Sequence, residues 1–158
     1  MTTARDAAGQ PGAVVLGPGE GHGFDIGPQH LTVKEAGERT AGQLVILEIL
    51  VPAGAGSPPP HIHRRGGESW YVLEGELDVL AGNERGRYGP GSFVMVPAGT
   101  PHQFANTGSG PVRFLATMSP YQLQFLQAVA QIWTAGPPEP AALVEVMARY
   151  DTEIVRPG

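Results

Sequence analysis

Four residues of the types that bind transition metals lie at close spacing in two parts of the chain. His61 and His63 flank a single isoleucine, Glu68 follows five residues later, and His102 comes after a proline-rich turn. In an extended strand, residues two apart point to the same face, so both imidazoles of the His-x-His pair can face one point. Residues 64–67 contain two glycines, which allow the chain to reverse and bring the carboxylate of Glu68 back alongside.

This donor set has the chemistry of a divalent transition-metal site. Three neutral imidazoles and one carboxylate form a mixed nitrogen and oxygen site that suits Fe, Mn, Ni, Co, Cu or Zn, and the ligand types do not select one of these metals. With four protein ligands, an octahedral ion keeps two positions open for substrate, dioxygen or water. A His-x-His pair taken alone is more typical of a solvated strand face. The residues around the pair are therefore needed to distinguish a metal site from two solvated histidines.

The composition of the chain favours many short strands joined by tight turns. The 158 residues include 23 glycines and 16 prolines, about twice the usual share, and these cluster between apolar runs as turn residues do. Residues 44–51 are apolar on both faces, which predicts a central strand of a sandwich or barrel. The glycine-rich region up to Gln29 is predicted to be a loop. Strands are predicted at residues 31–34, 44–51, 70–73, 76–80, 92–96, 102–105 and 112–117.

After the last of these strands, the apolar residues change to helical spacing. They recur at helical intervals between Tyr121 and Trp133, and Gly136 with the two prolines after it ends this helix. Pro140 suits the first turn of a second helix. We therefore predict a disordered N-terminus at residues 1–12, a β domain at residues 13–118 and a helical appendage at residues 119–158. The apolar face of the second helix is predicted to contain Leu143, Val144, Met147 and Tyr150.

Charge and composition exclude several classes of partner. The formal net charge is −5 and Lys34 is the single lysine, so no basic stripe is present to bind nucleic acid. The longest apolar stretch, residues 44–53, contains Glu48 and is too short to span a membrane. The sequence has no cysteine, which excludes disulfides and thiol nucleophiles. Residues 1–10 lack the apolar core of a secretory signal, so we expect a cytoplasmic protein.

Two longer motifs contain the candidate metal ligands. The first reads His-x-His-x4-Glu-x6-Gly over residues 61–75, and the second reads Gly-x5-Pro-x-Gly-x2-His-x3-Asn over residues 91–106. These blocks resemble the two signature motifs of the cupin superfamily. One position departs from the family pattern, because Ala55 stands where a glycine is usual six residues before the first histidine. Glycines on both sides of it suggest a one-residue difference in the loop.

The resemblance implies both a fold and a ligand set. The fold is mainly β, a double-stranded β-helix or jelly-roll cupin barrel with a short C-terminal helical segment. One divalent transition metal per chain would be held by His61, His63, Glu68 and His102. The matching glycines, proline and asparagine have structural roles in turns and loops.

The resemblance implies one function and leaves two alternatives open. Residues 70–77 resemble the single-domain bacterial cupins described as quercetin 2,3-dioxygenase-like. This implies a metal-dependent dioxygenase acting on a small aromatic or enolic, flavonol-like or catechol-like compound, with Glu68 as metal ligand and proton acceptor in turn. One alternative is a non-redox cupin, such as a polyketide cyclase or isomerase, that uses the metal as a Lewis acid. Another is a small-molecule-binding cupin without turnover.

Strand alternation predicts the walls of a substrate pocket. Trp70 and Val72 are two and four residues after Glu68, and Phe104 is two residues after His102. Side chains separated by an even number of residues along a strand lie on the same face, so these face the interior if the ligands do. The predicted cavity therefore accepts a flat, mostly apolar ligand with a metal-binding oxygen. The alternative is that the same side chains are ordinary core filling, which every barrel needs.

Other polar residues have two interpretations each. Arg64 and Arg65 either receive an anionic substrate or form a solvated turn, and Glu48 is either a charged edge position or a cavity acid. His22 and His30 are predicted to be solvent-exposed rather than ligands.

The assembly prediction comes from residues 44–51, which are too apolar on both faces to be exposed. Either a second subunit or the C-terminal helices must cover part of this surface, and we predict a homodimer.

Overall fold

The computed structural model describes residues 12–156, and the strands in this range form two antiparallel sheets. The predicted disorder of residues 1–12 therefore falls, except for Gly12, outside the described residues. The elements are β1 (His22–Ile26), β2 (Gln29–Glu35), β3 (Val45–Val51), β4 (His61–His63), β5 (Glu68–Glu74), β6 (Leu77–Ala81), β7 (Glu84–Tyr88), β8 (Phe93–Val96), β9 (His102–Ala105), β10 (Val112–Met118), α1 (Pro120–Ile132), α2 (Pro140–Arg149) and β11 (Thr152–Ile154).

The strand order is that of a jelly roll. The first sheet runs β1-β2-β3-β10-β5-β8, and the second runs β11-β4-β9-β6-β7. Strands far apart in sequence lie side by side: β10 is between β3 and β5, and β4 is between β11 and β9. This mainly β architecture with a C-terminal helical segment confirms the predicted double-stranded β-helix.

Strand β3 is central in its sheet, as its apolar sequence predicts. Val45, Leu47 and Val51 are fully buried on the inner face, where they contribute to the main hydrophobic core. Glu48 lies on the outer face, with its carboxylate 3.6 Å from the Lys34 ammonium and 3.5 Å from the Arg113 guanidinium. Both interpretations of Glu48, as an edge residue or as a cavity acid, are therefore wrong, because the side chain is ion-paired on the outside of an interior strand.

Strand β5 connects the core with the candidate ligands. Its residues alternate between the two faces, so that Glu68, Trp70 and Val72 are buried while Tyr71 is exposed. Phe114 of the neighbouring strand β10 packs edge-on against Trp70 in the same core. The alternation that placed the aromatic residues on the face of Glu68 is thus present in the fold.

Three strands differ from the expectations. Strand β1 lies in the region predicted to be a loop, and strand β7 is almost entirely exposed and lacks apolar alternation. Both are terminal strands with one neighbour each. Backbone hydrogen bonds hold β7, while Phe24 and Ile26 of β1 also pack against the hydrophobic clusters. Strand β11 lies within the segment predicted to be helical and pairs with β4 through only three residues. Such a short segment carries no periodic signal in the sequence.

The two helices form at the predicted positions. Ser119 caps α1 in a reciprocal capping box with Gln122. The two helices and β1 enclose a second hydrophobic cluster around Phe125. In α2 the predicted apolar face needs one correction, because Val144 is 53% exposed and Val146 is buried instead. No helix of residues 12–156 is long and apolar enough to cross a membrane.

Candidate metal centre

The four candidate ligands converge from both sheets. Strand β4 carries His61 and His63, its neighbour β9 carries His102, and β5 of the other sheet carries Glu68. One donor atom from each residue lies within 4.8 Å of the other three. All four residues are buried, with no more than 8% of their surface exposed. The structure therefore brings together all the residues that the two motifs predicted.

Each histidine is held through its Nδ1 atom. Nδ1 of His61 donates to the carbonyl oxygen of Pro59 at 2.8 Å, and Nδ1 of His102 donates to the carbonyl oxygen of Thr100 at 2.8 Å. A carbonyl oxygen only accepts, so both rings carry their hydrogen on Nδ1. Both acceptors lie in proline-rich turns, which fix the backbone ahead of the histidines. The Nε2 atoms are left available to a metal.

The arrangement of Nε2 of His102 provides a test of whether a cation fits. This atom is buried and makes no hydrogen bond, although Oε1 of Glu68 lies 2.7 Å away. Nε2 of His63 is 3.4 Å from the same oxygen. When His102 is neutral with its hydrogen on Nδ1, this lone pair faces the carboxylate with no hydrogen between them, and a cation among these donors would satisfy both atoms. The cluster thus fits one divalent transition metal and does not select among such metals.

The ionisation of the cluster also favours a cation. Burial, together with the neighbouring His102 and His63, lowers the pKa of His61 to about 4, so its ring is neutral at pH 7. Burial opposes ionisation of Glu68, but its contacts with His102 and His63 outweigh burial and hold its pKa well below the ordinary value. Burial lowers the pKa of His102, but the Glu68 carboxylate outweighs it and raises the pKa overall. The site therefore holds a carboxylate and at least one neutral imidazole.

Trp70 fixes the second oxygen of the glutamate. Its indole Nε1 donates to Oε2 of Glu68 at 3.0 Å, and both side chains are buried. Trp70 and Val72 are enclosed in the core, while Phe104 is partly buried and packs edge-on against Trp70. These three side chains face the interior, as strand alternation predicted. Their contact with a substrate stays a prediction. The indole hydrogen bond shows that Trp70 orients a candidate ligand, a role that its position two residues after Glu68 could have indicated.

The C-terminal segment supplies contacts that the sequence did not predict. The ring of Phe125 in α1 lies edge-on to His63, with centroids 5.5 Å apart, and the hydroxyl of Thr152 in β11 is 2.8 Å from Nδ1 of His63. Thr152 is 89 residues from His63 in sequence, so no local pattern could have found it.

Three arginines near the candidate ligands, Arg64, Arg65 and Arg113, are engaged outside the cluster. Arg64 binds Glu153 through two hydrogen bonds, and Arg65 lies over the ring of Tyr121 and near Asp151. Arg113 pairs with acidic residues on the outer face of the first sheet. Among the described residues, the histidines at positions 22 and 30 are exposed, as predicted. The cluster therefore has no arginine directed into it from these positions.

The fold and the site together define a double-stranded β-helix with a three-histidine, one-glutamate cluster between its sheets. Residues 47–118 match the Cupin_2 family, described as the cupin domain. Over this part, the chain is similar to the cupin superfamily.

Individual relatives resemble parts of the chain. Quercetin 2,3-dioxygenase from Bacillus subtilis (strain 168) is 33% identical over 90 residues. The aligned part covers 57% of this chain and 26% of that protein. A sugar phosphate isomerase of the cupin superfamily from Silicibacter pomeroyi aligns with a TM-score of 0.51 and 25% identity, over 58% of this chain and 59% of that one. The polyketide cyclase RemF from Streptomyces resistomycificus aligns with a TM-score of 0.59 and 23% identity, over 68% and 80% of the two chains. The similarity to RemF shows a shared fold.

Proposed function

We propose that this protein is a metal-dependent dioxygenase that acts on a small aromatic or enolic compound of the flavonol or catechol type. The observation that carries the proposal is the buried cluster of three histidines and one glutamate, in which an Nε2 atom has no partner. The resemblance to the Bacillus quercetin 2,3-dioxygenase supports the choice of reaction.

In this proposal the metal ligands are His61, His63, Glu68 and His102. A bound divalent ion would supply Lewis acidity toward an ionised substrate hydroxyl and, if redox-active, electrons for dioxygen. In this proposal Glu68 serves in turn as a metal ligand and as the acceptor of the substrate hydroxyl proton. Trp70 keeps the carboxylate oriented through Oε2 during this transfer.

The surroundings of the cluster favour a flat, apolar ligand. Phe125 lies against His63, and Trp70 lies 6.0 Å from His102 between ring centroids, so aromatic side chains flank two of the three imidazoles. Lys34 is ion-paired with Glu48 on the outer face of the first sheet. Arg64, Arg65 and Arg113 are likewise engaged with acidic residues, so none of these four cations is directed at the site to neutralise a phosphate. We therefore propose a phenolic or enolic ligand rather than a sugar phosphate, with Trp70, Val72 and Phe104 as the substrate pocket.

The proposal predicts dioxygen consumption. The protein loaded with Fe, Mn, Co, Ni or Cu is expected to consume dioxygen with a flavonol or catechol, measured with an oxygen electrode and by mass spectrometry of the product. Binding of the same compounds is expected to quench Trp70 fluorescence in a Trp133→Phe background.

Three results would contradict the proposal. Product formation without dioxygen uptake would favour the non-redox alternative, a cyclase or isomerase with a Lewis-acid metal. Saturable binding without product would favour a binding protein. Tighter binding of sugar phosphates than of catechols or flavonols would overturn the proposed ligand class.

We also propose that the chain forms a homodimer. Tyr71 of β5 and Phe93 of β8 are opposite each other on the outer face of the first sheet, and they are 45% and 63% exposed. Met95 beside them is 57% exposed. Because β8 is the terminal strand of its sheet, a second copy can pair with it antiparallel about a two-fold axis and place its own Phe93 and Met95 beside these side chains.

Light scattering at micromolar concentration tests this assembly. We expect a mass of about twice the 16.6 kDa of one chain, and we expect Phe93→Glu to reduce it to that of one chain. The matched control is Val144→Glu, a change at a 53% exposed residue of α2, which should leave the mass unchanged. A single-chain mass for the unaltered protein would contradict the dimer.

A further inference from the structure

Strand β11 lies beside the candidate metal ligands and extends the sheet that carries two of them. Thr152 is opposite His63 and Ile154 is opposite His61 in the register of β11 and β4. Backbone hydrogen bonds continue on both sides of this pairing, from Arg64 to the Asp151 carbonyl and from Val155 to the Pro60 carbonyl. The segment from Asp151 to Val155 is therefore held along the whole length of the His-x-His strand.

The hydroxyl of Thr152 lies within hydrogen-bond distance of two groups. Oγ1 donates to the carbonyl oxygen of Tyr150 at 3.2 Å. A hydroxyl has one hydrogen, so both contacts are made together only when Oγ1 accepts from Nδ1 of His63, 2.8 Å away. The ring of His63 then carries its hydrogen on Nδ1, and Nε2 presents a lone pair toward the other ligands.

His63 differs from the other two histidines in the nature of its partner. Nδ1 of His61 and Nδ1 of His102 donate to backbone carbonyls, which a substitution does not remove. Nδ1 of His63 donates to a side chain, and Thr152 is only 2% exposed, so water is excluded as a substitute. Phe125 packs against the ring and restricts its rotation. The orientation of His63 therefore depends on a single hydroxyl group.

The turn that presents Thr152 is held by several contacts. Asp151 has a φ of 51°, a left-handed conformation that is uncommon for residues other than glycine. Its carboxylate accepts a hydrogen bond from the Tyr121 hydroxyl at 2.9 Å and lies 3.6 Å from the Arg65 guanidinium. These contacts keep the strained turn in place and hence fix the position of the threonine hydroxyl.

We propose that Thr152 is a positioning residue of the metal centre, which fixes the Nδ1–H tautomer and the orientation of His63 and thereby increases the affinity for metal. The proposal rests on metal binding by the cluster and holds for any of the reactions considered above. Hydrogen bonds of this kind, to the second nitrogen of a ligating histidine, contribute about 10- to 100-fold to metal affinity.

Chelator competition with Co²⁺ and Zn²⁺ on the full chain tests the proposal. Thr152→Val removes the hydroxyl at nearly constant volume and is expected to raise the metal dissociation constant about 10- to 100-fold. Thr152→Ser keeps the hydroxyl and is expected to restore the dissociation constant to within about threefold of the original value. The matched control is Glu153→Gln, which breaks the exposed ion pair of β11 with Arg64 and should not change the metal affinity. Equal losses in Thr152→Val and Glu153→Gln would show that the docking of β11 matters and not the hydroxyl, which would overturn the proposal.

A second measurement does not depend on metal. Long-range proton–nitrogen NMR spectra of the metal-free, unaltered protein report the tautomer of each histidine ring, and the signals of His63 are assigned by their loss in His63→Gln. We expect hydrogen on Nδ1 of His63. Hydrogen on Nε2 would overturn the proposal even if metal binds. If the tautomer is as expected but the unaltered protein binds no metal, the metal assignment fails, and with it the effect of Thr152 on affinity.

Discussion

Replacement of His61 and His63 together by alanine is expected to abolish stoichiometric binding of a divalent metal. The pair supplies two of the four donors, and the remaining carboxylate and imidazole cannot hold an ion against competition from water and chelator. The unaltered protein should contain about one metal equivalent per chain after loading and desalting. Elemental analysis by plasma mass spectrometry measures the difference.

The control for this experiment is a second pair of histidines. His22 and His30 are exposed, and His30 pairs with Asp25 on β1 rather than with the cluster. Their joint replacement by alanine should leave the metal content unchanged. A folded His61→Ala and His63→Ala variant that retains a full equivalent of metal would show that the ion is bound elsewhere.

Replacement of Gly75 by alanine is expected to cause a large loss of stability. Gly75 follows β5 with a φ of +74°, and a Cβ atom there would collide with the carbonyl oxygen of Pro111 and lie 3.0 Å from a methyl group of Val112. The left-handed backbone costs an alanine about 1–2 kcal/mol, and the collision adds about 1–3 kcal/mol. We therefore expect the free energy of unfolding to fall by about 3 kcal/mol, measured by urea denaturation.

Substitutions at two other glycines distinguish the cost of the left-handed backbone from the cost of the Cβ collision. Gly91 has a φ of +87°, and a Cβ atom at this position would have no neighbour within 4 Å, so Gly91→Ala should cost only about 1–2 kcal/mol for the backbone. Gly89 is equally open and is not left-handed, so Gly89→Ala should change stability by less than about 1 kcal/mol. Equal losses in Gly75→Ala and Gly91→Ala would contradict the predicted collision.

The candidate site was predictable because its donors obey short-range rules. His61 and His63 lie on one strand two residues apart, and the glycines after them allow the return to Glu68. The position of His102 followed from the family motif, and strand pairing places it opposite His61. The central place of β3 followed from its uninterrupted apolar sequence. Local periodicity and turn chemistry therefore sufficed for most of the barrel.

The parts that were not predicted depend on contacts between distant segments. Strand β7 is polar and forms through backbone pairing with β6, which side-chain alternation does not reveal. Val146 rather than Val144 is buried in α2, because the helix is oriented by its packing on α1 and β11 and not by its own sequence. The hydrogen bond between Thr152 and His63 likewise exists only after the fold has formed.

The pairing of β4 with β11 has a consequence for the order of events during synthesis. Thr152 is added to the chain 89 residues after His63. At about 5–20 residues per second, this delay is roughly 4 to 18 seconds. During that interval the His-x-His strand lacks its outer neighbour, and its open edge is available to other strands. The barrel motifs are thus complete well before the residue that orients His63 leaves the ribosome, so the finished geometry of the cluster is a late product of translation.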